Sequence, residues 1–581
     1  MISAYRQQRR SFGCRASLFA KVALPILATL LGVSCGDVYR PIALPIPGQP
    51  PTPAPAGHMV VISTNGSSPS NPFLGPGSIG RIDVSGDSMV STALAGIGPA
   101  KGVLSNTGRL YVPNQLDDTV FATPIASAPQ GSTIDLVTVC SGVACPAANP
   151  VYAETTEAGR IYVVGMGNGT VSAIDSNSNV VVQTWAVDPA HAGSPLPSPD
   201  TSSQPVALVE LPNGTKIYSI NKGANSVSSI NTADGHINKV IPVGASPVWG
   251  AANTDNLHLY VLDSAGSIWV IDTTTETASP VAYGTPGALP NHLVYDKTFN
   301  RVFATDANSA QPKLAIFDVT GTSGNPDSTL TPHGALGFPV ISAAPGSPCS
   351  SAPIPTSVTV LGDGSRAYVA SYQTGNNLIC AQVTVVNTAA DTVSKTIPLF
   401  VTGDNAAQSN CDLARFRVFA ASSLGASSSL FKVYISQCDA GTVAIVDTTA
   451  LSIGPSTHPA DSVAGWLAPP VSTFQSSQIS VNSATQTAAT STSSATTTFT
   501  YSILSGPAPS LGGTIYIAGL SESRDNGAFL ITAVGPGSFT AANPACEAAA
   551  STSSPCIDVT GQNGPGSVFP PQNPVFLVPA P

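Results

Sequence analysis

One short phrase recurs along this chain: a basic residue, an aliphatic, an aromatic and another aliphatic, then a turn, then a second strand ending in Asp or Asn. Arg160-Ile161-Tyr162-Val163 leads to Val171-Ser172-Ala173-Ile174-Asp175-Ser176, and His258-Leu259-Tyr260-Val261 leads to Ile268-Trp269-Val270-Ile271-Asp272-Thr273. Further copies open at Arg109, Lys216, Arg301, Arg366 and Lys432, and a degenerate first copy runs from Met59 to Val84. A two-strand unit repeated in this way cannot bury its apolar face alone and must stack on its neighbours.

Each member is short, β-branched or aromatic, and bounded by Gly, Asn, Asp or Pro, which is strand chemistry. Asn168-Gly169, Asn213-Gly214, Asp234-Gly235 and Asp363-Gly364 supply the positive φ of tight hairpins. A further strand often precedes the aromatic one, opening with Pro or a small residue, as in Pro205-Val206-Ala207-Leu208 and Pro247-Val248-Trp249-Gly250. Another follows the Asp-Thr turn, as in Val180-Val181-Val182-Gln183. Four antiparallel strands per unit, repeated roughly every 40 to 65 residues, describe propeller blades. The chain is therefore expected to be all-β, a seven- or eight-bladed β-propeller over 57–455 with a small C-terminal β module. A pair of β-sandwiches is the competing fold, but independent sandwiches would not reuse the same Tyr-Val and Asp-Thr positions. A strand from the far end of the repeat region is expected to complete the first unit.

The phrase resembles the YVTN family of β-propeller repeats, relatives of lactonase-like propellers, over most of residues 100–450. This chain departs from the pattern in its irregular spacing and in Asn231 and Asn387, which replace Asp. The resemblance implies a fold and a binding surface, not a reaction.

Residues 1–34 have another character. Arg6, Arg9, Arg10, Arg15 and Lys21 precede a short apolar stretch, Val22 to Val33, broken by Pro25. It is too short to span a membrane with ease. It ends Leu31-Gly32-Val33-Ser34-Cys35, which resembles a bacterial lipobox and implies cleavage before Cys35 and lipidation of its thiol. Residues 35–56 are Pro-rich, an extended tether at about 3 Å per residue. The expected location is the cell envelope, lipid-anchored at the outer membrane, on its periplasmic or surface face.

Cysteine usage agrees with an oxidising compartment. Apart from Cys14 and Cys35, eight cysteines remain: Cys140, Cys145, Cys349, Cys380, Cys411, Cys438, Cys546 and Cys556. Proximity suggests pairs 140–145, 349–380, 411–438 and 546–556, each stapling an insertion, although sequence alone does not fix connectivity. Without Cys-x-x-Cys pairs or adjacent histidines, the metal alternative is weak and no metal site is expected. Removing the leader, which carries five positive charges and no negative ones, moves the net charge from −10 to −15. An acidic chain without basic patches is a poor nucleic-acid binder.

Residues 456–496 are rich in Ser, Thr and Ala and read as a linker or a long surface excursion; strand patterns return over 497–581 as a small all-β module, sandwich-like, with an irregular end after Pro570, the alternative being that these strands form a final closing blade of the propeller. The seven histidines, His58, His191, His236, His258, His292, His333 and His458, each stand alone in sequence. Neither a phosphate loop nor a dinucleotide fingerprint is present, and the single Gly-x-Ser-x-Gly lies in the leader. Asp175, Asp272, Asp318 and Asp447 recur at strand ends, where they either cap the following turn or ring a channel mouth and hold a cation. No catalytic residue and no cofactor is expected. The favoured function is a non-catalytic binding or scaffolding propeller whose long insertions, 188–204, 320–355 and 400–430, meet an envelope protein, a peptide or a polysaccharide. The alternatives are a lactonase- or lyase-like enzyme with a metal in the central channel, and an adhesin whose tail makes the contact.

Overall fold

The computed structural model describes residues 57–580 except 66–76, 126–131, 137–146, 156–158, 189–200, 283–288, 309, 323, 334–337, 377, 404–410, 412–414, 424–431, 454–455, 468–476, 488–495, 507, 510–513, 518–519, 523–524, 526, 544–556 and 570–571. Among the described residues there is no α-helix, and eight four-stranded antiparallel sheets account for the repeat region. From inside to outside, blade 3 is Pro150–Thr155, Arg160–Gly165, Thr170–Asp175 and Val180–Ala186. Blade 4 is Pro205–Glu210, Lys216–Asn221, Ser226–Asn231 and Ile237–Pro242. Blades 2, 5, 6, 7 and 8 follow the same order, with inner strands Val103–Leu104, Pro247–Ala252, Pro290–Asp296, Ile354–Val360 and Val418–Ser422. Each inner strand touches the next, and the last touches the first, so the sheets form a closed circle: a β-propeller.

The recurring phrase is explained by how one blade grips the next. Its aromatic is fully buried in seven copies: Tyr111, Tyr162, Tyr218, Tyr260, Phe303, Tyr368 and Tyr434. The basic residue stands two positions earlier, so both point to one face of the strand. Arg160 and the Tyr162 hydroxyl both donate to the Thr232 carbonyl of the next blade, at 3.0 and 3.3 Å. Lys216 reaches the Thr273 carbonyl and Glu276, both at 2.8 Å. Arg366 and Tyr368 share the Asp461 carboxylate, each at 2.5 Å. Lys432 and Tyr434 do the same with Asp87 of the first blade, which carries the pattern across the closure. The Thr of the Asp-Thr pair turns its hydroxyl back on its own blade, Thr232 to the Gly214 carbonyl at 2.6 Å and Thr273 to the Asn256 carbonyl at 2.8 Å. Its carbonyl is thereby held toward the previous blade.

Blade 1 is completed from a distance. Its outer three strands, His58–Asn65, Ser78–Asp83 and Ser88–Leu94, are local, and its inner strand is Gln572–Ala580 at the end of the chain. That strand pairs with His58–Asn65 from His58↔Ala580 to Asn65↔Gln572. The expectation of an irregular end after Pro570 fails here for a local reason. Pro574 and Pro579 look like strand breakers, but an innermost strand has a ladder on one side only, so a missing N–H on the axial side costs nothing.

The boundaries around the tail also move. Ser462–Leu467, inside the stretch read as a linker, is the outer strand of blade 8. Ser477–Thr487, Thr496–Ser505, Ser538–Ala542, Gly527–Gly535, Thr514–Ile517 and Val559–Phe569, in that spatial order, close a six-stranded antiparallel barrel in place of a sandwich. Small Ser, Thr and Ala side chains disguised it, yet Ile479, Val481 and Phe499 face inward against Ile515, Phe529 and Phe539. The barrel is thus an insertion in the connection from the outer strand of blade 8 to the inner strand of blade 1. The inner strands all begin on one ring face, so the described parts of the outer-to-inner connections that lead into them, such as 201–204, 338–353 and 415–417, lie on that face.

Candidate binding site at the ring axis

Most inner strands open with the same local geometry. Proline stands at Pro99, Pro150, Pro205, Pro247, Pro290, Pro355 and Pro574. In blades 1 and 3 to 7 a register shift follows at once, for example between Pro150 and Tyr152 and between Pro247 and Trp249. A bulge leaves one residue outside the ladder and re-aims the next side chain. The re-aimed residues are Tyr152, Ala207, Trp249, His292, Ser357 and Phe576; Lys101, two after Pro99, and Phe419 complete the tier.

These side chains meet at the axis. Tyr152 lies edge-on to Trp249 at 5.4 Å between centroids, Trp249 lies 4.7 Å from His292, and Phe419 lies 5.0 Å from Phe576. A buried residue from the connection before blade 8, Phe416, fills the space between them. Its ring touches Trp249 at 5.5 Å, His292 at 5.4 Å, Phe419 at 5.2 Å and Phe576 at 5.4 Å. Residues from four blades converge on one phenyl ring, so at this level the channel is plugged. The segment that carries it is tethered by the Cys411–Cys438 disulfide. Asn573 of the closing strand donates to the Cys438 carbonyl at 2.7 Å, which joins the plug, blade 8 and the ring closure at one point.

Beside the plug sits Arg415. Its guanidinium lies over Trp249 at 4.7 Å and donates to the carbonyls of Val206, at 3.0 Å, and Val248. Val206 and Val248 are the bulged residues of blades 4 and 5, so these carbonyls lie outside the ladder and available to a cation. Surrounding protein atoms desolvate the guanidinium and lower its pKa to about 10, so it stays charged at neutral pH. The residue nonetheless remains exposed, so the cation stands at the surface of the axial cluster rather than inside the packed core. Lys101 lies 4.0 Å over the Tyr152 ring and pairs with Glu154 at 3.1 Å. Burial works against its charge, but Glu154 and Tyr152 outweigh that and raise its pKa. Burial, with Arg415 and Lys101 nearby, drives His292 down to about 3, and its Nδ1 accepts the Val358 N–H at 3.3 Å, as a neutral ring can.

The other residues singled out from sequence fall elsewhere. Asp175 accepts the N–H groups of Asn177 and Ser178 at 3.1 and 2.7 Å, and Asp272 accepts those of Thr274 and Thr275 at 2.8 and 2.9 Å. Asn231 and Asn387 make the same bonds with neutral oxygens, so the position needs an acceptor and not a charge. These turns lead to the outer strands, away from the axis, and do not ring a channel mouth. Asp318 instead pairs with Arg301 at 2.9 Å and with His333 at 2.6 Å. His258 is buried against Asp255 at 2.5 Å, a stand-in for the basic residue that does not reach the next blade. Disulfides join Cys349 to Cys380 and Cys411 to Cys438. The second fastens the ring closure as well as an insertion. Cys35, Cys140, Cys145, Cys546 and Cys556 lie outside the described residues, as do the leader and the tether. Sequence reading missed the axial tier. Its signal was Pro-x-X at seven of the eight inner strands, which puts Lys101, Tyr152, Trp249 and His292 at one level although none adjoins another in sequence.

No family model matches this chain, and no curated protein matches it by sequence. Many solved structures resemble it in part. The dihydro-heme d1 dehydrogenase NirN matches at 11% identity with a TM-score of 0.45, over 73% of this chain and 77% of that one. Virginiamycin B lyase from Staphylococcus aureus matches at 13% identity and a TM-score of 0.38, over 58% of this chain and 92% of that one. Hydrazine synthase from Kuenenia stuttgartiensis matches at 17% identity and a TM-score of 0.38, over 53% and 80%. All three are β-propeller proteins, and the propeller assignment rests on this chain's own circle of sheets.

Proposed function

We propose that this chain is a lipid-anchored β-propeller of the cell envelope, at the outer membrane, acting as a non-catalytic binding or scaffolding protein. Its partner, an envelope protein, a peptide or a polysaccharide, is received on the face where the outer-to-inner connections emerge. The observation that carries this reading is the plug: Phe416 fills the axis between Trp249, His292, Phe419 and Phe576. Apolar packing stands where a channel-centred reaction needs room for substrate, while loops carried on a rigid scaffold are where binding residues concentrate. The enzyme reading draws on His292, Tyr152 and Glu154 near the axis. Against it, the His292 Nδ1 is already engaged by Val358, and among the described residues no three His, Cys, Asp or Glu side chains converge as metal ligands.

Site-specific photocrosslinking in intact cells tests the reading. Val340 lies exposed in the connection between blades 6 and 7, and Val180 lies exposed on the outer strand of blade 3. A crosslinker at 340 is expected to capture a discrete partner that one at 180 does not; equal capture, or none at 340, overturns the assignment of the face. Fatty-acid labelling that is lost in Cys35→Ala tests the anchor, and an unlabelled wild-type chain removes it.

A further inference from the structure

We propose that the exposed surface beside the plug binds a monocarboxylate attached to an apolar or aromatic body, with Arg415 receiving the carboxylate. This deepens the binding reading above and rests on it.

Arg415 is held in place without being neutralised. Two of its five N–H donors go to the Val206 and Val248 carbonyls, and its plane lies over Trp249. Backbone carbonyls fix the direction of the fork but supply only partial charge. Among the described residues no carboxylate pairs with it, in contrast to Lys101, whose charge is met by Glu154. Around the axial tier that leaves one positive charge unmatched, since His292 is neutral. A cation whose direction is already fixed and whose charge is unmatched can gain charge-assisted hydrogen bonds from an arriving anion at little ordering cost.

The number and shape of the groups select the anion. One unmatched charge suits a monoanion better than a phosphate dianion. A planar guanidinium with parallel N–H groups suits a carboxylate, which it can hold through two bonds at once. The neighbouring walls are aromatic: Trp249 lies under the guanidinium, Phe416 is 5.6 Å from it, and Tyr152 is edge-on to Trp249. They offer an apolar body contact area close to its charged end. Free aromatic acids and peptide C-termini share this chemistry.

The test uses the full mature chain, calorimetric titration and tryptophan fluorescence. The probes are N-acetyl-phenylalanine, its primary amide, and an Ala-Ala-Phe peptide with a free or an amidated C-terminus. At least one free acid is expected to bind about tenfold or more tightly than its own amide, as for hydrogen bonds to a charged group. Arg415→Gln is expected to abolish that preference with its circular dichroism melt unchanged, and Arg415→Lys to keep part of it. Should the Gln variant misfold, the wild-type preference is expected to shrink as salt is raised from 50 to 500 mM, on the order of the screening expected at an exposed site. Tighter binding of the small acid identifies a metabolite-type ligand; tighter binding of the peptide identifies a C-terminus. Equal affinity for acid and amide, no binding by either acid, a preference indifferent to salt, or a preference that survives in a folded Arg415→Gln overturns the proposal. If the acids fail while the residue-340 crosslink persists, the ligand assignment falls and the binding reading stands.

Discussion

The last strand of the chain should control the stability of the first blade, and truncation before residue 572 tests this directly. Gln572–Ala580 pairs with His58–Asn65 along its whole length and buries Val575, Phe576, Leu577 and Ala580. Burying Val, Leu and Phe side chains contributes about 1.5–3 kcal/mol each, so the three together supply on the order of 6 kcal/mol. Phe576 alone packs on Phe416 at 5.4 Å and Phe419 at 5.0 Å, and a buried Phe→Ala change costs about 3–5 kcal/mol. Total stabilities of about 5–15 kcal/mol leave little after such a loss. Truncation also strips His58–Asn65 of its partner and exposes a sheet edge that invites association. The expected result is a truncated chain that aggregates on size exclusion and lacks a cooperative urea transition, and a Phe576→Ala chain that folds with a lowered urea midpoint. A synthetic peptide of residues 572–581, added in excess, should restore part of the transition by mass action. A truncated chain that is monomeric and unfolds at the wild-type midpoint would refute the closure.

Two further outcomes follow from the same geometry. Tyr368→Phe removes a hydroxyl bonded to the Asp461 carboxylate and should cost about 1.5–3 kcal/mol in urea unfolding, against about 1 kcal/mol for Tyr162→Phe, whose acceptor is a neutral carbonyl; equal or negligible losses would show that the repeated tyrosine acts by packing alone. His292, with its folded-state pKa held near 3, below its unfolded value of about 6.5, contributes stability that is fully present above pH 6.5 and is lost as pH falls toward 3; the urea midpoint of the wild type should therefore fall between pH 7 and pH 4.5 more steeply than that of His292→Gln, and parallel slopes would rule the buried neutral ring out.

The circle of blades was readable in the sequence because its requirement recurs from blade to blade. Tyr162, Tyr368 and Tyr434 each reach across to the turn of the next blade, and Arg160, Arg366 and Lys432 reach the same place from two positions earlier. A shared geometry leaves a shared residue type. The boundaries of the tail were not readable for the opposite reason. Ser462–Leu467 and Ser477–Thr487 are built mostly from small residues, which occur in strands and in loose connections alike, and only the sparse inward positions such as Ile479 and Val481 mark the period of two. Gln572–Ala580 was hidden by its prolines and by its distance in sequence from its partner, information that no local pattern carries.

The axial tier obeys a different rule, which is why it holds the candidate site. Its backbone follows one plan in six blades, a proline followed by a bulge, but its side chains over the eight sheets are Lys101, Tyr152, Ala207, Trp249, His292, Ser357, Phe419 and Phe576, seven different residue types. Nothing in the ring's assembly demands a given type there, because these side chains answer to one another across the axis and not to the neighbouring turn. In blades 4 and 5 the bulges turn the Val206 and Val248 carbonyls toward Arg415. Variation confined to the one level where all blades meet is what a repeat fold offers to a ligand: the repeated residues hold the frame, and the unrepeated ones decide what the frame can bind. On that argument, exchanging the exposed Arg415 should alter ligand preference with little effect on the ring, whereas exchanging Tyr368 or Tyr434 should loosen the ring before it changes what is bound.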